Sequence, residues 1–185
     1  MSRNYKFYNP SGVYFVSFAT VYWIDVFTRQ VYFNILENSI NHCRAKKGME
    51  VFSYCFMPSH IHLIFRSKND NPAGLLRDFK TYTSKTIINT IKENPTESRK
   101  EWLLEMFLKA ADLKSNVNHY QLWQHHNKPI ELWSNKVIKQ KIDYIHNNPV
   151  ESGFVTSPKD WKYSSARNLA EYDPIITIDD IGFLD

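Results

Sequence analysis

Two β-type runs follow one another with almost no chain between them, and this constrains the fold more than any other feature. Glu50 to Met57 (EVFSYCFM) is apolar on both alternating faces, as expected of a central strand covered on two sides. Pro58-Ser59 breaks the run, and His60 to Arg66 (HIHLIFR) reads as a second strand close behind. Upstream, Val13 to Trp23 is dense in β-branched and aromatic residues and predicts another strand. Thr28 to about Lys47 is helical in pattern, with Val31, Ile35, Leu36 and Cys43 on one side and Gly48 as its stop.

Downstream, Asn71 to about Glu93 carries Leu75, Leu76, Phe79, Tyr82 and Ile87 at roughly helical spacing, and Pro95 closes it. Trp102, Leu103, Met106, Phe107 and Ala110 form a second amphipathic stripe, read as packing against the domain. Tyr120 to Gln124 reads as a last short strand, and Asn135 to Asn148 as a helix closed off by Pro149. The order β-α-β-β-α-(α)-β-α predicts an α+β, ferredoxin-like, antiparallel four-stranded sheet with helices on one face, followed by a C-terminal helix bearing Tyr144. Residues 1–185 are expected to form a single domain with a helical insertion at about 94–118.

Composition sets bounds. A chain of 185 residues with 43% hydrophobic and 15% aromatic content is that of a folded protein. Charges interrupt every apolar run, so no membrane span is expected, and the opening MSRNYKFYNP lacks a secretory apolar core. Cys43 and Cys55 have no metal-type spacing and read as reduced, buried thiols, which suits a cytoplasmic protein. A net charge of +4 permits a nucleic-acid partner without demonstrating one.

Two groupings carry chemistry. On a strand, His60 and His62 project from the same face while Ile61, Leu63 and Phe65 point the other way, so paired imidazoles make half of a metal site. An isolated pair of this kind is weak, because two idle surface histidines give the same pattern. On the last helix, Ile138, Ile142 and Ile145 form the apolar stripe, and Lys141, Tyr144 and Asn148 share a neighbouring face. A tyrosine at the rim of a core is ordinary. Yet Lys141 one turn before could hold a phosphate or favour phenolate, and Asn148 one turn after offers a carbonyl oxygen to a metal. Free tyrosine has a pKa of about 10, so a tyrosine nucleophile needs such help.

The segment Tyr54-Cys-Phe-Met-Pro-Ser-His-Ile-His-Leu-Ile-Phe65 resembles the signature of HUH single-tyrosine transposases. Asp143-Tyr-Ile-His-Asn-Asn-Pro-Val150, Gly153-Phe-Val155 and Trp161-Lys-Tyr-Ser-Ser-Ala166 are similar to the C-terminal block of REP-associated tyrosine transposases and related insertion-sequence transposases. The resemblance implies that His60 and His62 bind Mg²⁺ or Mn²⁺, that Asn148 supplies a further ligand, and that Tyr144 attacks a DNA phosphate to give a 5′-phosphotyrosine and a free 3′-hydroxyl. It implies that Leu122-Trp-Gln124 is a family strand, that the partner is single-stranded or hairpin DNA, and that the protein works in the bacterial cytoplasm or nucleoid. Relatives include dimers and monomers, and both states stay open. The stretch His125 to Glu131 and the insertion from about Glu97 to Leu113 depart from the minimal family core, which leaves the recognised DNA open.

Unpaired bases stack on aromatic rings while lysines track the backbone. On that ground Tyr5, Phe7, Tyr8 and Trp123, beside Lys6 and Lys128, are candidate DNA contacts. Ser164, Ser165 and Arg167 stand equally as phosphate contacts or as caps of a last helix. Three rival readings compete with the transposase: a catalytically inactive, sequence-specific DNA-binding protein of the same fold; a metal-dependent phosphodiesterase using water instead of Tyr144; and an α+β domain with a coincidental histidine pair. His60, His62, Tyr144 and Asn148 together argue against a decayed site.

Overall fold

A computed structural model describes residues 6–112, 120–170 and 172–182. The elements are β1 (Tyr14–Ala19), α1 (Gln30–Lys47), β2 (Met49–Phe56), β3 (His60–Ser67), α2 (Pro72–Glu93), α3 (Lys100–Asp112), β4 (Ile130–Glu131) and α4 (Asn135–Glu151). The four strands form one sheet in the order β2-β3-β1-β4, every pair antiparallel. This is the ferredoxin-like α+β arrangement expected from the element order.

The two sheet faces are covered by different helices. Tyr14, Val16 and Phe18 of β1 and Ile61, Leu63 and Phe65 of β3 pack with Leu36 and Ile40 of α1, Leu76 and Phe79 of α2, and Leu103 and Phe107 of α3. On the opposite face Val13, Phe15, Cys55 and Ile64 meet Ile138 and Ile145 of α4. Alternation along the strands sorts the side chains between these cores. Glycine stops α1 as expected, because Gly48 takes the left-handed conformation (φ 68°) that closes the last turn. Asn71 caps α2 by accepting from the Gly74 amide at 3.0 Å. Cys43 and Cys55 are buried free thiols. No helix among the described residues is long and apolar enough to cross a membrane.

Several expectations need correction. β2 is an edge strand, not a central one. Its apolar character on both faces holds because helices lie above and below it, and the C-terminal segment covers its open edge. Phe56 N donates to Tyr163 O at 2.9 Å, Tyr54 N to Ser165 Oγ at 2.9 Å, and Asp179 N to Val51 O at 2.7 Å. A covered edge offers no template for pairing with another chain.

The fourth strand is Ile130–Glu131, not Tyr120 to Gln124. Trp123 forms a single bridge with Thr20, and the chain then turns through Lys128 (φ 43°) before it regains β1. The first strand ends at Ala19, because Tyr22 and Trp23 both have positive φ. Pro149 does not close α4, which runs to Glu151; the buried Pro149 ring forfeits one backbone bond and is held by packing. Tyr82, Trp102 and Val31 are exposed, and Thr83 and Tyr32 take the inward positions on α2 and α1. The expected insertion holds α3, while 113–119 lie outside the described residues.

Candidate functional site

The face of the sheet beneath α4 carries both histidines, since β3 alternates and Ile61, Leu63 and Phe65 occupy the other side. The two imidazole centroids are 4.8 Å apart, nearly perpendicular. α4 lies across them because Ile138 and Ile145 bury against the sheet. That docking brings Tyr144 over His62 (centroids 5.2 Å, edge-on) and Asn148 to His60, with Asn148 Oδ1 3.2 Å from His60 Nε2. The expected grouping of His60, His62, Tyr144, Asn148 and Lys141 is thus assembled in space. Lys141 Nζ lies 4.8 Å from the Phe15 ring centroid and 5.5 Å from that of Tyr144.

His62 is the most telling residue. It is 3% exposed, stacked on Phe15, and neither ring nitrogen has a hydrogen-bond partner. A buried polar group left unpaired costs about 1–3 kcal/mol, so the arrangement calls for a ligand. Burial, then the neighbouring His60 and the Lys141 charge, push its pKa down to about 3. At neutral pH the ring is uncharged and has a lone pair to donate. Burial likewise lowers His60, against the opposing pulls of the Asn148 contact and the Asp25 carboxylate.

Two neutral imidazoles and an amide oxygen fit a divalent cation that accepts nitrogen and oxygen donors. The 3.2 Å between His60 Nε2 and Asn148 Oδ1 suits neighbouring ligands of one ion, for which metal–ligand bonds near 2.1 Å imply about 3 Å. Among the described residues no group of three His, Cys, Asp or Glu side chains converges, so this chain's donor set rests on Asn148 for its third member.

Tyr144 is 41% exposed at the rim. Burial of its ring and the Glu151 carboxylate raise its pKa above the usual tyrosine value, so in the free protein it stays protonated at neutral pH. Lys141 therefore does not by itself produce a phenolate.

The remaining predicted contacts are scattered. Trp123 is a core residue: 5% exposed, stacked on Phe27, its Nε1 donating to Thr83 Oγ1 at 3.0 Å, with no face open to a base. Arg167 binds the carbonyls of Asp173 and Lys159 and covers Tyr172, so it holds the C-terminal segment rather than a phosphate. Ser164 accepts from Ala166 N in a short 3₁₀ turn, and the buried Ser165 hydroxyl bonds to His146 Nε2. Lys6 is exposed beside Phe7, whose ring packs on Tyr14 and Phe65 on the face away from the histidines. Tyr5 lies outside the described residues. Exposed Lys128 follows Asn127, whose carbonyl accepts from Ser17 N, and Ser17 pairs with His62 across the sheet. Of the peripheral candidates, Lys128 borders the site's strand edge.

Sequence reasoning missed three supports. Phe15 stacks on His62, and Trp23 sets its ring edge-on to His60 at 5.4 Å. His146, on α4, is buried with Nε2 2.8 Å from Ser165 Oγ and 3.3 Å from Ser53 Oγ. That network ties the tyrosine helix to β2, where the pairing slips between Val51 and Ser53. The Tyr-Ile-His spacing of α4 was its only sequence sign.

A profile of the family described as "Transposase IS200 like" matches residues 12–121, which include both histidines and end before α4. A Haemophilus influenzae protein named as a REP-associated tyrosine transposase is 26% identical over 118 residues, 63% of this chain and 58% of the relative. The Escherichia coli REP-associated tyrosine transposase is 22% identical over 135 residues, 72% of this chain and 64% of that protein. The matched regions thus span 58% and 64% of these curated relatives. The solved structure of a REP-associated tyrosine transposase bound to a REP hairpin shares the fold, with TM-score 0.65 and 20% identity, over 100% of this chain and 96% of that one.

Proposed function

Because the chain belongs to the IS200-like transposase family, we propose that it cuts and rejoins single-stranded DNA at hairpin-flanked sites, with Tyr144 as the covalent nucleophile. The observation that carries this reading is His62, whose nitrogens are buried and unpaired and whose ring centroid lies 4.8 Å from that of His60 and 5.2 Å from that of Tyr144. The solved relative's REP hairpin supports hairpin DNA as the partner class. His60, His62 and Asn148 would hold Mg²⁺ or Mn²⁺, which when bound polarises phosphate oxygens.

The chain's own residues supply position and positive charge. The Tyr144 ring rests against the stacked Phe15 and His62 rings, at 6.0 and 5.2 Å between centroids, and is 41% exposed at the rim. Lys141 adds positive charge where the phosphate would sit. Tyr144 Oη bonds to phosphorus as the P–O3′ bond breaks; the leaving oxygen takes a proton and departs as a 3′-hydroxyl. The phenol proton leaves to solvent at the exposed rim. A 3′-hydroxyl from another end then attacks the phosphotyrosine and restores Tyr144, so bond energy is conserved and no nucleotide is consumed.

The test is a denaturing gel with labelled hairpin DNA carrying randomised single-stranded flanks and Mn²⁺, comparing wild type with Tyr144→Phe. A slow, protease-sensitive DNA–protein band that needs both Mn²⁺ and Tyr144 is the expected result. Cutting that survives Tyr144→Phe would point to a water-using hydrolase. Binding without cutting would favour the inactive DNA-binding protein.

A further inference from the structure

We propose that Trp23, with Tyr22 beside it, is a stacking platform for an unpaired base of the strand that enters the histidine site. The inference rests on the reading of that site as one for single-stranded DNA.

Tyr22 and Trp23 have φ of 55° and 57°, and Ile24 N donates to Val21 O at 3.2 Å across them. Two successive positive φ values across such a bond mark a type I′ turn, whose central positions favour Asn-Gly because bulky side chains are strained there. Here the two central residues are large aromatics. Strain of this kind persists only where the surroundings enforce it. They do so here: Val21 and Ile24 are buried, Val21 N donates to Leu122 O at 2.8 Å, and Thr20 Oγ1 donates to Ile24 O at 2.7 Å.

Both ends of the turn are clamped into the core, and its two rings are pushed outward. Tyr22 is 49% exposed and Trp23 57% exposed. The rings therefore contribute little burial in return for the strain. Trp23 instead stands edge-on to His60, on the metal-ligand candidate itself.

The exposed aromatic surface of the turn suits a base. An exposed indole face is sequence-tolerant and gains from any base. A base on Trp23 would fix the strand one step from the histidines and so set which phosphate reaches Tyr144.

The test compares wild type, Trp23→Phe and Trp23→Gly for binding of fluorescein-labelled (dT)15 and of the randomised hairpin pool, alongside thermal melting and the Tyr144 adduct assay. Trp23→Gly should weaken binding about five- to 150-fold yet melt no lower than wild type, because glycine takes positive φ freely. Trp23→Phe, which keeps an aromatic face, should stay within about threefold of wild type. Trp23→Gly that binds within about twofold of wild type, while the wild-type adduct still forms, would overturn the platform and leave the transposase reading intact. Weaker binding with a clearly lower melting point would reduce Trp23 to a structural prop and also overturn it. Wild type that neither binds DNA nor forms an adduct would sink both readings.

Discussion

The two faces of the sheet are built from the same four strands and put to opposite uses. The α1–α2 face is a continuous apolar layer in which even the polar members are satisfied: Thr83 bonds to the Phe79 carbonyl and receives the Trp123 indole N–H, and buried Glu97 accepts from Tyr32 and Arg29. The α4 face has a smaller apolar cluster and buries two histidines, one of them with both nitrogens unpaired. One face stabilises the fold; the other gives up part of that stability by leaving buried imidazole nitrogens unpaired. The strand period of two makes this division available, because neighbouring residues on β3 serve different faces.

Substitutions on either side should separate stability from activity. The largest stability effect belongs to the closed face: Phe79→Ala, removing a fully buried ring against Phe18, should cost about 3–5 kcal/mol in denaturant unfolding. A loss under about 1 kcal/mol would mean that this face is not the structural one.

Acid should act through the other face. His62 and His146 have folded pKa values of about 3 and about 4, below the unfolded value near 6.5. Between those limits the unfolded chain binds protons that the folded one does not, so stability is present above pH 6.5 and is lost as pH falls. Each histidine contributes up to about 1.4 kcal/mol per pH unit. Melting measured from pH 7 to pH 4.5 should show a steep decline, and an unchanged melting point would show that neither ring is buried as described.

His62→Leu should sharpen the contrast. Removing two unpaired buried nitrogens should raise metal-free stability by about 1–2 kcal/mol, flatten the acid slope and abolish metal-dependent DNA cutting. A variant that is destabilised would place a bonded partner on His62 in the free protein. The smallest effect is expected at the surface of α4: Lys139→Ala breaks an exposed ion pair with Asp143, 2.8 Å long, and should change stability by less than about 0.5 kcal/mol.

Much of this site could be read in advance because its parts are local. The shared face of His60 and His62 follows from strand alternation, and the shared face of Lys141, Tyr144 and Asn148 from the helical repeat. Neither depends on the rest of the molecule. The stacking role expected of Trp123 failed for the complementary reason: whether an aromatic faces a base or a core is decided by what lies above it, here Phe27, Phe18 and Thr83 from three other segments. His146 was passed over because its partners, Ser53 and Ser165, lie 93 and 19 residues away.

The amino-acid sequence by itself determined the helices, the first three strands, their order and which side chains leave each of them together, since these depend on contacts within a few residues. Tertiary structure alone decided that β2 lies at an edge and is covered by the C-terminal segment, and that β4 forms at Ile130–Glu131. It also decided that α4 crosses the sheet so that Asn148, 88 residues from His60, comes within 3.2 Å of it. The physical reason is that long-range pairing and burial choose among arrangements that local periodicity leaves equally open. The left-handed turn at Tyr22 and Trp23 belongs with these, since only the clamped ends of that turn hold two aromatic residues where their own preferences would not.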